Sequence, residues 1–103
     1  MERKQESQAS FFVKLCSDKA AYEARLKRQI RFDLLHVKQL FEATGNYQIL
    51  ADTPYILILK NPKEVEVTFS KDGRLIIKKV ADKTEAEKVA QEIFQIVLEA
   101  SST

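Results

Sequence analysis

The sequence predicts an α+β fold, in which an antiparallel β-meander of four to five strands has helices packed on one face. Residues 55–80 contain three apolar or alternating runs separated by two turn signals, which is the pattern of a meander. Residues 86–100 repeat apolar side chains with a helical period. The whole chain has only two glycines and two prolines, which favours long regular elements.

Length and composition predict one domain over residues 10–100, between a disordered tail at 1–9 and a frayed end at 101–103. Seventeen basic and fifteen acidic residues give a charge of +2, which by itself implies no polyanionic partner. The single cysteine, Cys16, allows no internal disulfide bond. No secretory signal and no membrane-spanning run are present, so we expect a cytoplasmic protein without a membrane partner.

The N-terminal third predicts a strand followed by a helix. Residues 10–16 alternate in the manner of a short strand, although they are also compatible with the opening of the next helix. In residues 19–31, Tyr22, Leu26 and Ile30 recur at intervals of four, and the positions between them are mostly basic or polar. This spacing predicts a basic first helix, capped by Ser17 or Asp18.

A second helix is predicted from Leu34, with Asp33 as its cap and an apolar face that includes Val37. Gly45 is suited to end it in the left-handed conformation. Whether residues 19–44 form one helix or two is left open by the pattern.

Four strands are predicted in the second half of the chain, at 47–51, 55–60, 64–69 and 74–80. The last two are joined by a hairpin turn in which Gly73 supplies the positive φ angle. The final strand keeps its alternation throughout unless a bulge resets it near its end.

A C-terminal helix follows the meander. Thr84 and Glu87 have the spacing of a capping box, in which each side chain accepts a hydrogen bond from the backbone of the other. The apolar face of this helix is expected to pack on the sheet. Its members are Ala86, Val89, Ala90, Ile93, Ile96, Val97 and Ala100.

The residue types needed for catalysis or for metal binding do not converge in this sequence. His36 is the only histidine, Cys16 is the only cysteine, and Gly45 and Gly73 are isolated, so no phosphate-binding glycine loop exists. We therefore expect no enzyme, no cofactor, no metal and no catalytic residue. The remaining carboxylates are interpreted as solvated surface: Glu64, Glu66 and Asp72.

The basic residues support an alternative hypothesis, a nucleic-acid-binding surface built from the first helix and from the hairpin at 71–79. Acidic residues are interleaved with them, so salt-balanced solvated surface is the competing interpretation. The candidate contacts are Lys27, Arg28, Arg31, Lys71, Arg74, Lys78 and Lys79.

Residues 33–98 resemble one half of a TATA-box-binding protein. The resemblance lies in the order of elements and in short motifs: Leu-Lys-Asn-Pro-Lys, a strand ending in Phe-Ser, a turn with Gly73 and Arg74, and the opening Lys-Thr-Glu-Ala-Glu of the last helix. It implies a curved antiparallel sheet with helices on its convex side. In that family the open side of the sheet binds the DNA minor groove through apolar residues and phenylalanine wedges.

This chain departs from the family at the wedges. Asp52 occupies the first wedge position. For the second wedge position, counting forward from the Asn-Pro-Lys turn gives Phe69, and counting back from Gly73 gives Ser70. The two counts differ because this hairpin is one residue longer than that of the family. If Phe69 faced DNA, Glu66 and Thr68 would face the core, and an unpaired buried carboxylate is unfavourable by several kcal/mol. We therefore expect Phe69 in the core.

A second resemblance is to the terminal segment of ubiquitin-activating-enzyme-like adenylyltransferases, where a similar hairpin precedes a helix. Phe69, Asp72-Gly73-Arg74 and Ile76-Ile77-Lys78 are similar to that motif, with one extra residue before the aspartate. Since the nucleotide-binding portion of such enzymes is absent here, the resemblance implies only an accessory role.

The leading functional hypothesis is a non-enzymatic interaction module that binds a protein partner, or a second copy of itself, through its open sheet face or a sheet edge. The name "open face" denotes the side of the sheet that the helices are expected to leave uncovered. The residues assigned to it are Ile56, Ile58, Glu66, Thr68, Ile76 and Lys78.

Overall fold

The computed structural model describes residues 10–16 and 21–101. The predicted tail at 1–9, the candidate caps Ser17 and Asp18, and residues 102–103 lie outside that description. The elements are β1 Phe11–Leu15, β2 Ala21–Leu26, α1 Leu34–Thr44, β3 Gln48–Asp52, β4 Ile56–Lys60, β5 Glu66–Ser70, β6 Arg74–Lys78 and α2 Lys83–Ser101.

The strands of the described residues form one antiparallel sheet in the order β1-β2-β6-β5-β4-β3. β1 and β2 form a hairpin at one edge, and α1 carries the chain from β2 to the opposite edge. β3 to β6 then return as a meander, which brings β6 beside β2. The predicted α+β class, with a meander covered by helices on one face, is confirmed, although the sheet has six strands rather than four to five.

The additional strand is β2, and the predicted first helix is wrong over its described part. Residues 21–26 are a strand that pairs with β1 and β6, and residues 27–33 connect it to α1. Apolar residues four positions apart, such as Tyr22 and Leu26, share one face in a strand as well as in a helix. Between them, Ala24 is fully buried. Hydrogen bonding to β6, which is distant in sequence, makes this segment a strand rather than a helix. In the described part of residues 19–44, α1 is therefore the only helix.

Helix α1 begins and ends as predicted. Asp33 precedes it, and the Asp33 carboxylate accepts a hydrogen bond of 3.1 Å from the backbone N–H of Leu35. Gly45 follows it with a φ of 74°, and its N–H donates to the carbonyl of Glu42. The buried side chains of α1 are Leu34, Val37 and Phe41.

The capping interaction of α2 lies two residues earlier than predicted. The helix begins at Lys83, and the backbone N–H of Glu85 donates to the Asp82 carboxylate at 3.0 Å. In return, the Glu85 carboxylate accepts a hydrogen bond of 2.9 Å from the N–H of Ala81. The capping-box assignment to Thr84 and Glu87 is therefore wrong in position, because an aspartate that also fits the pattern precedes it.

The core lies between the helices and one face of the sheet. Phe69 is fully buried, as expected, and its ring contacts that of Phe32 edge-on with centroids 5.3 Å apart. Phe94 of α2, which the predicted helix face omitted, is also fully buried and lies 5.3 Å from the ring of Phe11. The buried strand residues include Val13, Ala24, Leu57, Leu59, Val67, Leu75 and Ile77.

Two residues with positive φ angles, Glu64 at 72° and Lys79 at 67°, lie just outside the last two strands. The buried Asn61 side chain accepts hydrogen bonds of 2.9 Å from the N–H groups of Lys63 and Val65, which fixes the turn before β5. Lys79 follows β6 with a φ of 67°. The alternation of β6 therefore ends at Lys78, in the region where a bulge had been considered.

Candidate interaction surface

The open face is organised by cross-strand pairs. Ile58 of β4 lies opposite Thr68 of β5, Thr68 lies opposite Ile76 of β6, and Ile76 lies opposite Glu23 of β2. Residues that are directly opposite share a face of the sheet. Their neighbours along each strand are buried on the other side, so this row belongs to the face on which neither described helix packs.

The centre of the open face is partly apolar and only partly exposed. The side chains of the row are half-buried by their neighbours in the sheet, and Ile56 lies beside the row in the same state. Glu66 is also half-buried, and Lys78, its cross-strand partner, is exposed. The residues assigned to this face therefore alternate along their strands with residues of the core.

Basic side chains outnumber acidic ones on the open face. The cross-strand register adds Lys14, Glu23, Arg25, Lys60 and Arg74 to the face. Three of these residues form two ion pairs, with Arg25 Nε 3.0 Å from Glu23 Oε2 and Lys60 Nζ 3.3 Å from Glu64 Oε1. The charges surround the apolar centre and give the face a positive excess.

The basic residues predicted for nucleic-acid binding fall at two ends of the molecule. Lys27, Arg28 and Arg31 are exposed in the connection after β2, not on a helix, which corrects that part of the prediction. This connection contacts the β5–β6 turn, because the N–H of Phe32 donates to the carbonyl of Lys71 at 2.7 Å.

Lys78 and Lys79 lie at the other end of β6 from that contact. Lys78 is about 13 Å from Arg74 along the strand, at the usual rise per residue. Lys79 Nζ lies 3.9 Å from Glu66 Oε1, so its charge is partly offset. The predicted set is thus two surfaces rather than one.

Arg25, Arg28 and Arg74 line one small pocket of about 40 Å³, together with Asp72. Arg25 and Arg74 lie directly opposite each other on β2 and β6. Like charges in that position repel each other. We call these three arginines the loop–turn cluster. Arg25 was not among the predicted contacts, because its segment was interpreted as a helix and its partner strand was therefore unknown.

Asp72 supplies local negative charge beside the loop–turn cluster. The Ser70 hydroxyl donates a hydrogen bond of 2.7 Å to the Asp72 carboxylate, and this bond, with the nearby charge of Arg74, lowers the pKa of Asp72. The carboxylate is therefore ionised at neutral pH and offsets part of the charge of Arg74.

The other candidate groups lie apart. His36 is exposed on α1, and Cys16 is half-buried after β1. Within residues 10–16 and 21–101, no group of three or more His, Cys, Asp and Glu residues is placed to hold a metal ion. In the same ranges, neither helix has the length and apolar character needed to cross a membrane.

Comparison of the chain with protein-family models, with curated proteins and with solved structures finds no significant match. The two resemblances drawn from the sequence therefore remain predictions.

Proposed function

We propose that this protein is a small non-enzymatic interaction module that binds a protein partner through its open face. The observation that carries the proposal is the row formed by Ile58, Thr68 and Ile76, with Ile56 beside it, on the side of the sheet opposite both helices. An apolar centre with a charged rim is the usual composition of a protein-binding surface.

The departures from the TATA-box-binding family also support a protein partner. The residue at the first wedge position, Asp52, is exposed and forms an ion pair of 2.8 Å with Lys38 of α1. Phe69, the candidate for the second wedge, is buried in the core. A face without aromatic wedges lacks the means by which that family opens base steps.

Site-specific photocrosslinking tests this proposal. A photoreactive amino acid replaces Thr68 in the centre of the open face, and in a control protein it replaces His36, which is exposed on α1. We expect a discrete protein adduct from position 68, which is absent from position 36 and is lost when Ile58→Glu is added. Equal adducts from both positions, or only nucleic-acid adducts, would contradict the proposal.

Nucleic-acid binding is the second candidate function, and the loop–turn cluster favours it. Arg25 and Arg74 face each other on adjacent strands, and Arg28 lines the same pocket. Glu23, paired with Arg25, and Asp72, beside Arg74, offset only part of this positive charge. A bound phosphate group would relieve the repulsion between them, since guanidinium groups bind phosphate with two parallel hydrogen bonds.

A salt titration with a labelled oligonucleotide tests the second candidate. We expect Arg28→Glu combined with Arg74→Glu to weaken binding at least tenfold and to reduce its salt dependence. The matched control is Lys78→Glu combined with Lys79→Glu, the same charge change at the other end of β6. No binding at low salt, or equal losses in both variants, would exclude the loop–turn cluster as the contact.

A further inference from the structure

The two edges of the described sheet differ in how they are protected. The β3 edge has a bulge between Ile49 and Ala51 and ends at the charged Asp52. The β1 edge, Phe11–Leu15, has no bulge and no proline, and its only charged residue is Lys14. Natural edge strands are usually interrupted or charged because an unpaired edge can bind another strand. β1 lacks most of that protection.

The backbone of β1 has a regular outer row of hydrogen-bonding groups. Towards β2, the carbonyl of Ser10 accepts from the N–H of Lys27 at 3.0 Å, and the N–H of Cys16 donates to the carbonyl of Ala21 at 2.8 Å. Successive residues of a strand direct these groups to opposite sides. Those of Phe11, Val13 and Leu15 therefore point outward and have no strand partner among the described residues.

Two large apolar side chains at this edge are accessible, one on each side of the sheet. Phe12, on the side of the open face, is 44% exposed, and Leu15, on the side of the helices, is 60% exposed. A groove of about 680 Å³ runs between β1 and one side of α2, with Phe11, Phe12 and Val13 on its strand side. An added strand thus has space beside β1.

We propose that β1 pairs with β1 of a second copy of this chain, antiparallel and around a two-fold axis at Val13. This register places Phe11 opposite the partner's Leu15 and Phe12 opposite the partner's Lys14. The first pair is apolar, and the second joins an aromatic ring to an ammonium group, which attract each other. No two like charges are opposite, and all three outward residues find backbone partners. The strand is therefore complementary to itself.

This inference rests on the proposed role as an interaction module but uses the edge of the sheet, which meets the open face only at Phe12 and Lys14. Pairing at β1 would extend the sheet of one copy into that of the other and join their two open faces side by side. Loss of the β1 contact and loss of open-face binding are separable, since Leu15 and Ile58 lie on different strands and on opposite sides of the sheet.

Light scattering with concentration series of the full chain tests the pairing. We expect a concentration-dependent dimer that Leu15→Glu weakens at least tenfold, because the carboxylate would lie against the partner's Phe11 and charge at the edge opposes strand addition. Leu35→Glu is the matched control, since Leu35 is 63% exposed on α1, and it should leave the dimer unchanged. Circular dichroism confirms that both variants are folded.

Hydrogen exchange provides the second measurement. In the dimer, the amides of Phe11, Val13 and Leu15 should exchange at least tenfold more slowly than in the Leu15→Glu variant. The amides of Phe12 and Lys14, which face β2, should be protected equally in both.

If the chain remains monomeric at concentrations up to about 1 mM, the inference is wrong, since a dimer with a dissociation constant above that value is not stable. So does a dimer in which the three outward amides exchange freely. A dimer that Ile58→Glu dissociates and Leu15→Glu does not would place self-association on the open face instead.

Discussion

Ile58 of β4 and Thr68 of β5 lie directly opposite each other at the centre of the open face. One residue earlier on β4 and one later on β5, Leu57 and Phe69 are also opposite each other, and both are fully buried. The same two strands thus contribute to the core on one side and to the proposed binding surface on the other. Substitutions on the two sides should therefore have different effects on stability.

The adjacent residues Ile76 and Ile77 of β6 provide the matched pair for this difference. Ile77→Ala should lower the free energy of unfolding by about 2–5 kcal/mol, because it leaves a cavity in the core. Ile76→Ala should lower it by about 1 kcal/mol or less, since Ile76 is only half-buried on the open face. Urea denaturation measures both values. Equal losses would contradict the register of β6.

The two glycines differ in their surroundings, although both have positive φ angles. A Cβ atom added at Gly73, at a φ of 86°, would lie 3.2 Å from Phe32 Cε2 and 3.4 Å from the carbonyl oxygen of Ile30. At Gly45, at a φ of 74°, such an atom would meet nothing within 4 Å. We expect Gly45→Ala to lower the free energy of unfolding by about 1–2 kcal/mol from backbone strain alone.

Gly73→Ala should lower it further, because the added methyl group also displaces Phe32 from its contact with Phe69. Thermal unfolding of the two variants, compared with the wild type, measures the difference. If Gly73→Ala were no more destabilising than Gly45→Ala, the result would contradict the close packing of the β5–β6 turn against the connection after β2.

The Tyr47 hydroxyl is buried near the Glu92 carboxylate, but no described group lies in good hydrogen-bonding geometry with it, and its ring packs edge-on against Phe41. Because a buried hydroxyl without a partner is unfavourable by about 1–3 kcal/mol, Tyr47→Phe should raise the free energy of unfolding by a similar amount at neutral pH. Tyr55→Phe is the control, since Tyr55 is 69% exposed, and should change little. Destabilisation by Tyr47→Phe would indicate a hydrogen bond to this hydroxyl.

Tyr47 also predicts a pH dependence on the alkaline side. Burial, and secondarily the nearby charge of Glu92, raise the pKa of Tyr47 far above its ordinary value. Above about pH 10 the unfolded chain therefore releases this proton before the folded chain does, so stability falls as pH rises. Denaturation between pH 9 and 11, roughly the range in which tyrosine titrates, should show a shallower fall for Tyr47→Phe than for Tyr55→Phe. Parallel curves would contradict the burial of this hydroxyl.

Ser70 and Asp72 predict a pH dependence on the acid side. Ser70→Ala removes the hydroxyl that donates to the Asp72 carboxylate, so the pKa of Asp72 should rise toward its ordinary value. In the wild type, the lowered pKa contributes stability above the pKa of the unfolded chain, and this stability is lost as pH falls. NMR titration of the Asp72 carboxyl carbon measures the change. An unaltered pKa would show that Arg74, rather than Ser70, controls this group.

The elements that could be predicted from the sequence are those with local signals. The Asp33 side chain caps the start of α1, and the left-handed backbone of Gly45 ends it. Gly73, also at a positive φ angle, forms the turn of the last hairpin. The alternation of β4, β5 and β6 correctly separated the residues of the open face from those of the core. These features depend on neighbours within a few positions along the chain.

β2 could not be predicted in this way, because its nature depends on strands that are distant in sequence. Tyr22 and Leu26 satisfy a helical period as well as a strand period, and the pairing of Tyr22 with Ile77 of β6 decides between them. The same error concealed the opposition of Arg25 and Arg74. The outward backbone groups of β1 likewise became apparent only when β2 was known to be its one neighbour in the described sheet.

The dissociation constant for a protein captured at Thr68 tests the central claim, that the open face is the binding surface. Ile58→Glu and Ile76→Glu should each raise it about thirtyfold or more, the effect of removing a residue central to an interface. Leu35→Glu, on the exposed side of α1, should change it less than about twofold. If the open-face variants bound as tightly as the wild type, or if Leu35→Glu weakened binding as much as they did, the claim would be contradicted.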